Sequence, residues 1–152
     1  MADGVFNIAK GKAGYYATLP AANDALIVVL LKSSGLEADD TLNNYDDLAA
    51  LLAAANDEAD FTNYARKTVT SAPGTVDDTN NRLDVDIADQ TWTAAGGAAN
   101  NTLGKLLICY DPDTTGGTDS SIIPLTYHDF SATTDGSDLQ AVIATAGFYR
   151  AA

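Results

Sequence analysis

The chain has 152 residues, with 21 acidic side chains against 8 basic ones and a formal charge of -13. That length suits a single domain, which buries roughly 70% of its unfolded surface without staples. The charge excludes nucleic acid and anionic membrane surfaces as partners, and a lone Cys109 excludes an internal disulfide.

Residues 1–23 read as an N-terminal arm or a first strand, and residues 24–152 as the β-rich domain. Phe6, Asn7 and Ile8 suit the start of a short helix. Gly11 and Gly14 then punctuate the chain, and residues 15–19 read as a strand closed by Pro20. The first residues lack a basic region followed by an apolar core, so no secretory signal is expected.

The longest apolar run, residues 25–31, falls short of the ~20 residues that cross a bilayer and predicts a strand buried on both faces. Tyr45, Leu48, Leu51 and Leu52 share a face at helical spacing, which predicts one short helix over 45–55. Asn43 or Asn44 is its expected cap, with Asp46 and Asp47 near the positive end of its dipole.

Beyond residue 60 the pattern has period two. Residues 64–70 read as a strand, and Pro73, Gly74 and the run 77–81 as turns. In 82–87, Leu83, Val85 and Ile87 alternate with Arg82, Asp84 and Asp86, which predicts a core face and a wet face. Short strands follow at 90–93, 103–110 and 122–130, the last edged by Pro124, and a final one at 139–149. The expected architecture is mainly β: a single-domain sandwich or barrel of about seven or eight strands with one short α-helix.

Of the acids, 19 are Asp and only Glu37 and Glu58 are Glu. Asp favours turns and caps over helix interiors, in keeping with short strands and polar connections.

Chemistry is sparsely supplied. His128 is the sole histidine, and no Gly-x-Ser-x-Gly elbow accompanies it, so it reads as a strand or interface residue rather than a base. Cys109, inside an apolar run, reads as a buried, inert thiol. Asp111, Asp113 and Gly116 open like a calcium loop, but Thr115 and Ile122 stand where further ligands are needed. Neither a catalytic residue, a cofactor site nor a metal site is therefore expected, and the protein reads as a non-enzyme. Trp92 reads as core. Candidate partner-binding residues lie at the two ends: Phe6, Ile8, Lys10, Lys12, Tyr15 and Tyr16 in a locally basic stretch, and Phe148, Tyr149 and Arg150 near the C-terminus. The N-terminal stretch suits either an arm ordered by a neighbour or a first strand with a frayed end.

Residues 77–82, 84–86 and 89–92 resemble segments of a family of virion proteins from tailed phages, especially phages of actinobacteria. The resemblance extends to residues 25–37, 61–67, 105–111 and 147–150, in the same order. Proteins of that family are read as minor capsid or capsid decoration proteins. The resemblance implies a structural protein on the outer surface of the capsid, made in the host cytoplasm, whose partner is the major capsid protein. It also implies association of copies on the shell, a trimer being favoured. Two other readings stay open: a phage tail or neck component, and a virion carbohydrate-binding module.

Overall fold

The computed structural model describes residues 3–152. In chain order its strands are β1 (Gly4–Val5), β2 (Ala25–Lys32), β3 (Lys67–Val69), β4 (Gly74–Asp77), β5 (Arg82–Val85), β6 (Gln90–Trp92), β7 (Thr102–Asp111), β8 (Ile123–Thr133), β9 (Leu139–Ala141) and β10 (Tyr149–Ala151). Three short helices interleave with them: α1 (Ala13–Ala17), α2 (Asp39–Leu42) and α3 (Leu48–Ala53).

Seven consecutive apolar residues cannot all avoid water unless their strand is covered on both faces. Accordingly Ala25 to Leu31 are all buried, and β2 lies inside a five-stranded antiparallel sheet of order β1-β8-β7-β2-β3. Its long partner is β7, paired from Ala25 opposite Asp111 to Lys32 opposite Leu103. β7 in turn pairs with β8. Pro124 is accommodated where the β7–β8 register shifts, opposite Cys109, and β1 covers β8 only at Thr126 and Tyr127. Two smaller antiparallel sheets complete the fold, β10-β5-β4 and β6-β9. The protein is thus mainly β, with more strands than expected, and none of its three sheets closes on itself.

Three expected elements take another form. Residues 15–19 are not a strand: Ala13 and Ala17, one helical turn apart, are the buried face of α1. α1 packs on β5 and β10, where Gly14 leaves a Cβ-sized gap only 3.3 Å from the Leu83 side chain.

The single helix expected over 45–55 is present but shorter, as α3, and a separate helix, α2, precedes it across a break at 43–47. Asp47, not Asn43 or Asn44, caps α3, its carboxylate accepting the Ala50 N–H at 2.8 Å. The break is held elsewhere: the Asn43 carbonyl accepts the Asn7 N–H, and the Tyr45 hydroxyl donates to Glu37 at 2.7 Å.

The last apolar stretch is likewise not one strand. It divides into β9 and β10 around Gly147, whose φ of +80° and position under the Val85 carbonyl exclude a side chain.

Strand composition and connection composition differ sharply. The ten strands hold five bases and four acids, so nearly the whole negative charge resides in the helices and connections.

Residues 3–19 are tied into this framework. Phe6 is fully buried, meets Tyr127 edge-on at 5.4 Å and donates its N–H to the Leu125 carbonyl at 3.0 Å. Ala9 and Ala13 are buried behind it. Phe6→Ala is therefore expected to destabilise the protein by about 3–5 kcal/mol, the range for emptying a buried aromatic site. Urea unfolding of the purified variant measures this, and a loss below about 1 kcal/mol would mean that the segment is not part of the cooperative core.

Candidate functional site: a cleft between the chain ends

β1 and β10 bring the two ends of the described chain to opposite walls of one cleft of about 440 Å³. Gly4 and Val5 form one wall, with His128 and Phe130 of β8 beside them. The other wall is the connection after β9, with Val142 and Ile143, followed by Phe148, Tyr149 and Arg150. Gly4 is required here because a Cβ at that position would overlap the Tyr127 ring.

The polar groups on these walls are already engaged. The Asp3 carboxylate stands 3.4 Å from His128 Nδ1 and also accepts the Asp129 N–H at 2.8 Å. His128 Nε2 lies 2.9 Å from the Thr126 hydroxyl. Burial pushes the His128 imidazole below its ordinary value of 6.5, against the opposing pull of Asp3. Arg150 is paired with Asp84 at 2.6 Å. A lining of aliphatic and aromatic side chains with engaged polar groups suits contact with an apolar surface more than activation of a nucleophile.

Beneath the cleft, Lys105 is a charge with no exposed side-chain surface. Its Nζ lies 2.6 Å from Asp129 and 3.0 Å from Asp39, and 4.8 Å from the centre of the Tyr127 ring. Burial alone would lower its pKa, but the two carboxylates outweigh that and hold it above the usual lysine value. A second polar cluster lies at Arg66, which grips Glu58 at 2.7 Å and Asp119 at 2.6 Å. Tyr64 completes it by donating to Glu58 at 2.8 Å while accepting the Leu30 N–H. This cluster fastens the chain before β3 to the turn before β8.

The candidate residues divide. Phe148, Tyr149 and Arg150 line the cleft together. The N-terminal six do not. Phe6 is core, and Tyr16 stacks on Tyr110 at 4.8 Å, whose hydroxyl donates to the buried Asp24. Ile8 and Tyr15 remain exposed, at 38% and 62%. Lys10 and Lys12 are exposed as well, with Lys10 donating to Asn7 at 2.7 Å.

Cys109 is buried, and burial raises its thiol pKa, consistent with an inert group. The calcium-like acids serve their own turn: Asp111 accepts the Asp113 N–H and Asp113 accepts the Thr115 N–H. Among the described residues no three acidic, histidine or cysteine side chains converge as metal ligands.

Sequence reading passed over Lys105 and Val142. A lone lysine inside the apolar run 103–110 is a visible signal for the first. The second has none, because 139–149 reads as one continuous stretch.

The His128 environment has a pH signature. A histidine whose pKa is lower folded than unfolded is harder to protonate in the folded state. Stability is therefore expected to fall as pH drops below 6.5 and to level off below the folded value. His128→Gln should flatten that part of the profile, as measured by thermal unfolding between about pH 7.5 and pH 5. An unchanged slope in the variant would mean that His128 is solvated as in the unfolded chain.

Compared with known protein families, with curated proteins and with solved structures, the chain finds no match.

Proposed function

We propose that the protein is a structural component of a tailed-phage virion, coating the outside of the capsid by binding the lattice of the major capsid protein. The supporting observation is the ordered set of family-like segments described above. Those segments fall on β2, on the Arg66 cluster, on the β4–β5 hairpin and Trp92, on β7, and on the cleft wall at 147–150. The segregation of charge agrees with this reading. Acids concentrated in helices and connections repel polyanions and keep an outward surface soluble, while charge-balanced strands leave surfaces able to touch a protein shell.

On this reading the cleft is the contact surface, with Phe148 and Tyr149 as anchors, and several copies associate on the shell. Weak individual contacts suffice, because neighbouring sites combine by effective concentration. The sheets act as layers of an open sandwich. The carbohydrate-binding alternative has less to draw on, since Trp92, its best stacking platform, is 1% exposed.

The test mixes purified protein with undecorated capsids and measures uptake per shell. Saturable, stoichiometric uptake is expected, and Tyr149→Ala should weaken it by at least about fivefold, the effect of losing more than ~1 kcal/mol at an anchor. Protein that ignores shells but labels isolated tails would replace the decoration reading with the tail or neck one.

A further inference from the structure

Lys105 and its two carboxylates form a cluster that the capsid-binding role of the cleft does not use. Lys105 stands in β7 directly opposite Asp129 of β8. Its Nζ lies 2.6 Å from Asp129 and 3.0 Å from Asp39, the first residue of α2. The Lys105 side chain has no exposed surface, and the Tyr127 ring covers its Nζ at 4.8 Å. Asp129 keeps 41% of its side chain exposed, on the cleft lining.

An amine held against a carboxyl group in a dry site is a reactant pair, because fixing the two in contact replaces a bimolecular encounter. The contact to an Asp129 oxygen sets the carboxyl carbon one C–O bond further on. Ammonium and carboxylate do not react as such, and a proton must first pass between them. At rest the two carboxylates keep the ammonium charged, so the neutral pair is a minor form and any bond forms slowly. Burial works in its favour, since two neutral groups cost less in a low-dielectric interior than two charges. The attacking amine also needs a base, and Asp39 stands in reach.

Other pairs in the chain lack a part. Arg66 likewise meets two carboxylates, but a guanidinium stays protonated. Lys32 meets Asp60 at 2.9 Å, but in water, with Asp60 69% exposed.

We propose that Lys105 and Asp129 condense to an isopeptide bond, with Asp39 as the proton carrier. Lys105 Nζ gives one proton to the Asp129 carboxylate, leaving a neutral amine and a neutral carboxyl group. Nζ then attacks Asp129 Cγ, forming the C–N bond, and passes a second proton to Asp39. Asp39 returns that proton to the departing hydroxyl as the C–O bond breaks. One water leaves by the exposed side of Asp129, and Asp39 is a carboxylate again. The bond ties β7 to β8 across 24 positions, in a chain whose single cysteine forbids an internal disulfide. It does not depend on what the cleft binds.

The experiment is mass spectrometry of the purified full chain, denatured, when fresh and after long incubation. A species lighter by one water is expected to accumulate. Chymotryptic cleavage after Tyr110, between the two positions, should then release a branched peptide joining Lys105 to Asp129. Lys105→Arg should keep its full mass, and Asp39→Asn should link at least about a hundredfold more slowly. Circular dichroism confirms that each variant folds. Asp129→Asn should still link but lose ammonia in place of water, a signature that an ion pair of purely structural role cannot give. Full mass in the incubated wild type overturns the proposal whatever the variants do. So does a water loss that persists in Lys105→Arg, or a branch that maps to Asp39.

Discussion

The pairing of β2 with β7 is the constraint to which the rest of the structure answers. Both strands are buried on both faces along most of their length. Each large apolar side chain so enclosed contributes roughly 1.5–3 kcal/mol, provided something covers it. Cover comes from local pieces: the N-terminal segment through Phe6, Ala9 and Ala13, the helices through Leu42, Leu48 and Leu51, and the C-terminal segment through Phe148. The helices are accordingly short, because each needs only enough length to place one or two apolar residues on the sheet.

Lys105 shows how strict the constraint is. A lone buried ammonium is tolerated only if paired and hydrogen-bonded, and removing its partners would leave an uncompensated charge in the interior. Asp129 comes from the neighbouring strand, whereas Asp39 comes from α2. The charge therefore specifies where α2 sits as well as being tolerated there. This is a case where an ion pair is better understood as a positional device than as a source of net stability.

Features legible in the sequence were those whose cause is local. The run 25–31 and the alternation at 82–87 declare their burial by pattern, and Val85 and Ile87 are indeed core, with Leu83 partly buried. Turns at 77–81 and 112–120 follow from their Asp, Asn and Gly content. What could not be read depends on distant partners. α1 packs where Gly14 lies close beside Leu83, nearly seventy positions away, and the break at 43–47 is held by the bonds of Asn43 and Tyr45 to Asn7 and Glu37. Gly147 ends the last apolar run because the Val85 carbonyl occupies the space a side chain would need. The candidate site was half legible for the same reason. Aromatics at 148 and 149 stand out in any reading, but the other wall of their cleft comes from β1 and β8.

The excess of Asp over Glu has a structural cause that also shapes the surface. A carboxylate one methylene from the backbone reaches N–H groups two or three residues ahead, and this chain uses that reach repeatedly. Asp47 accepts from Ala50, Asp77 from Asn80, Asp113 from Thr115 and Asp135 from Ser137. Hydrogen bonds from Asn80, Thr115 and Ser137 hold the Asp77, Asp113 and Asp135 carboxyls below the usual range. Such groups stabilise the fold above their unfolded values and lose that contribution as pH falls through the folded ones. Turn building and surface charge are thus one choice. At physiological salt, exposed charges act over only about 8 Å. Acids concentrated in connections and short helices therefore leave most strand surface out of their reach.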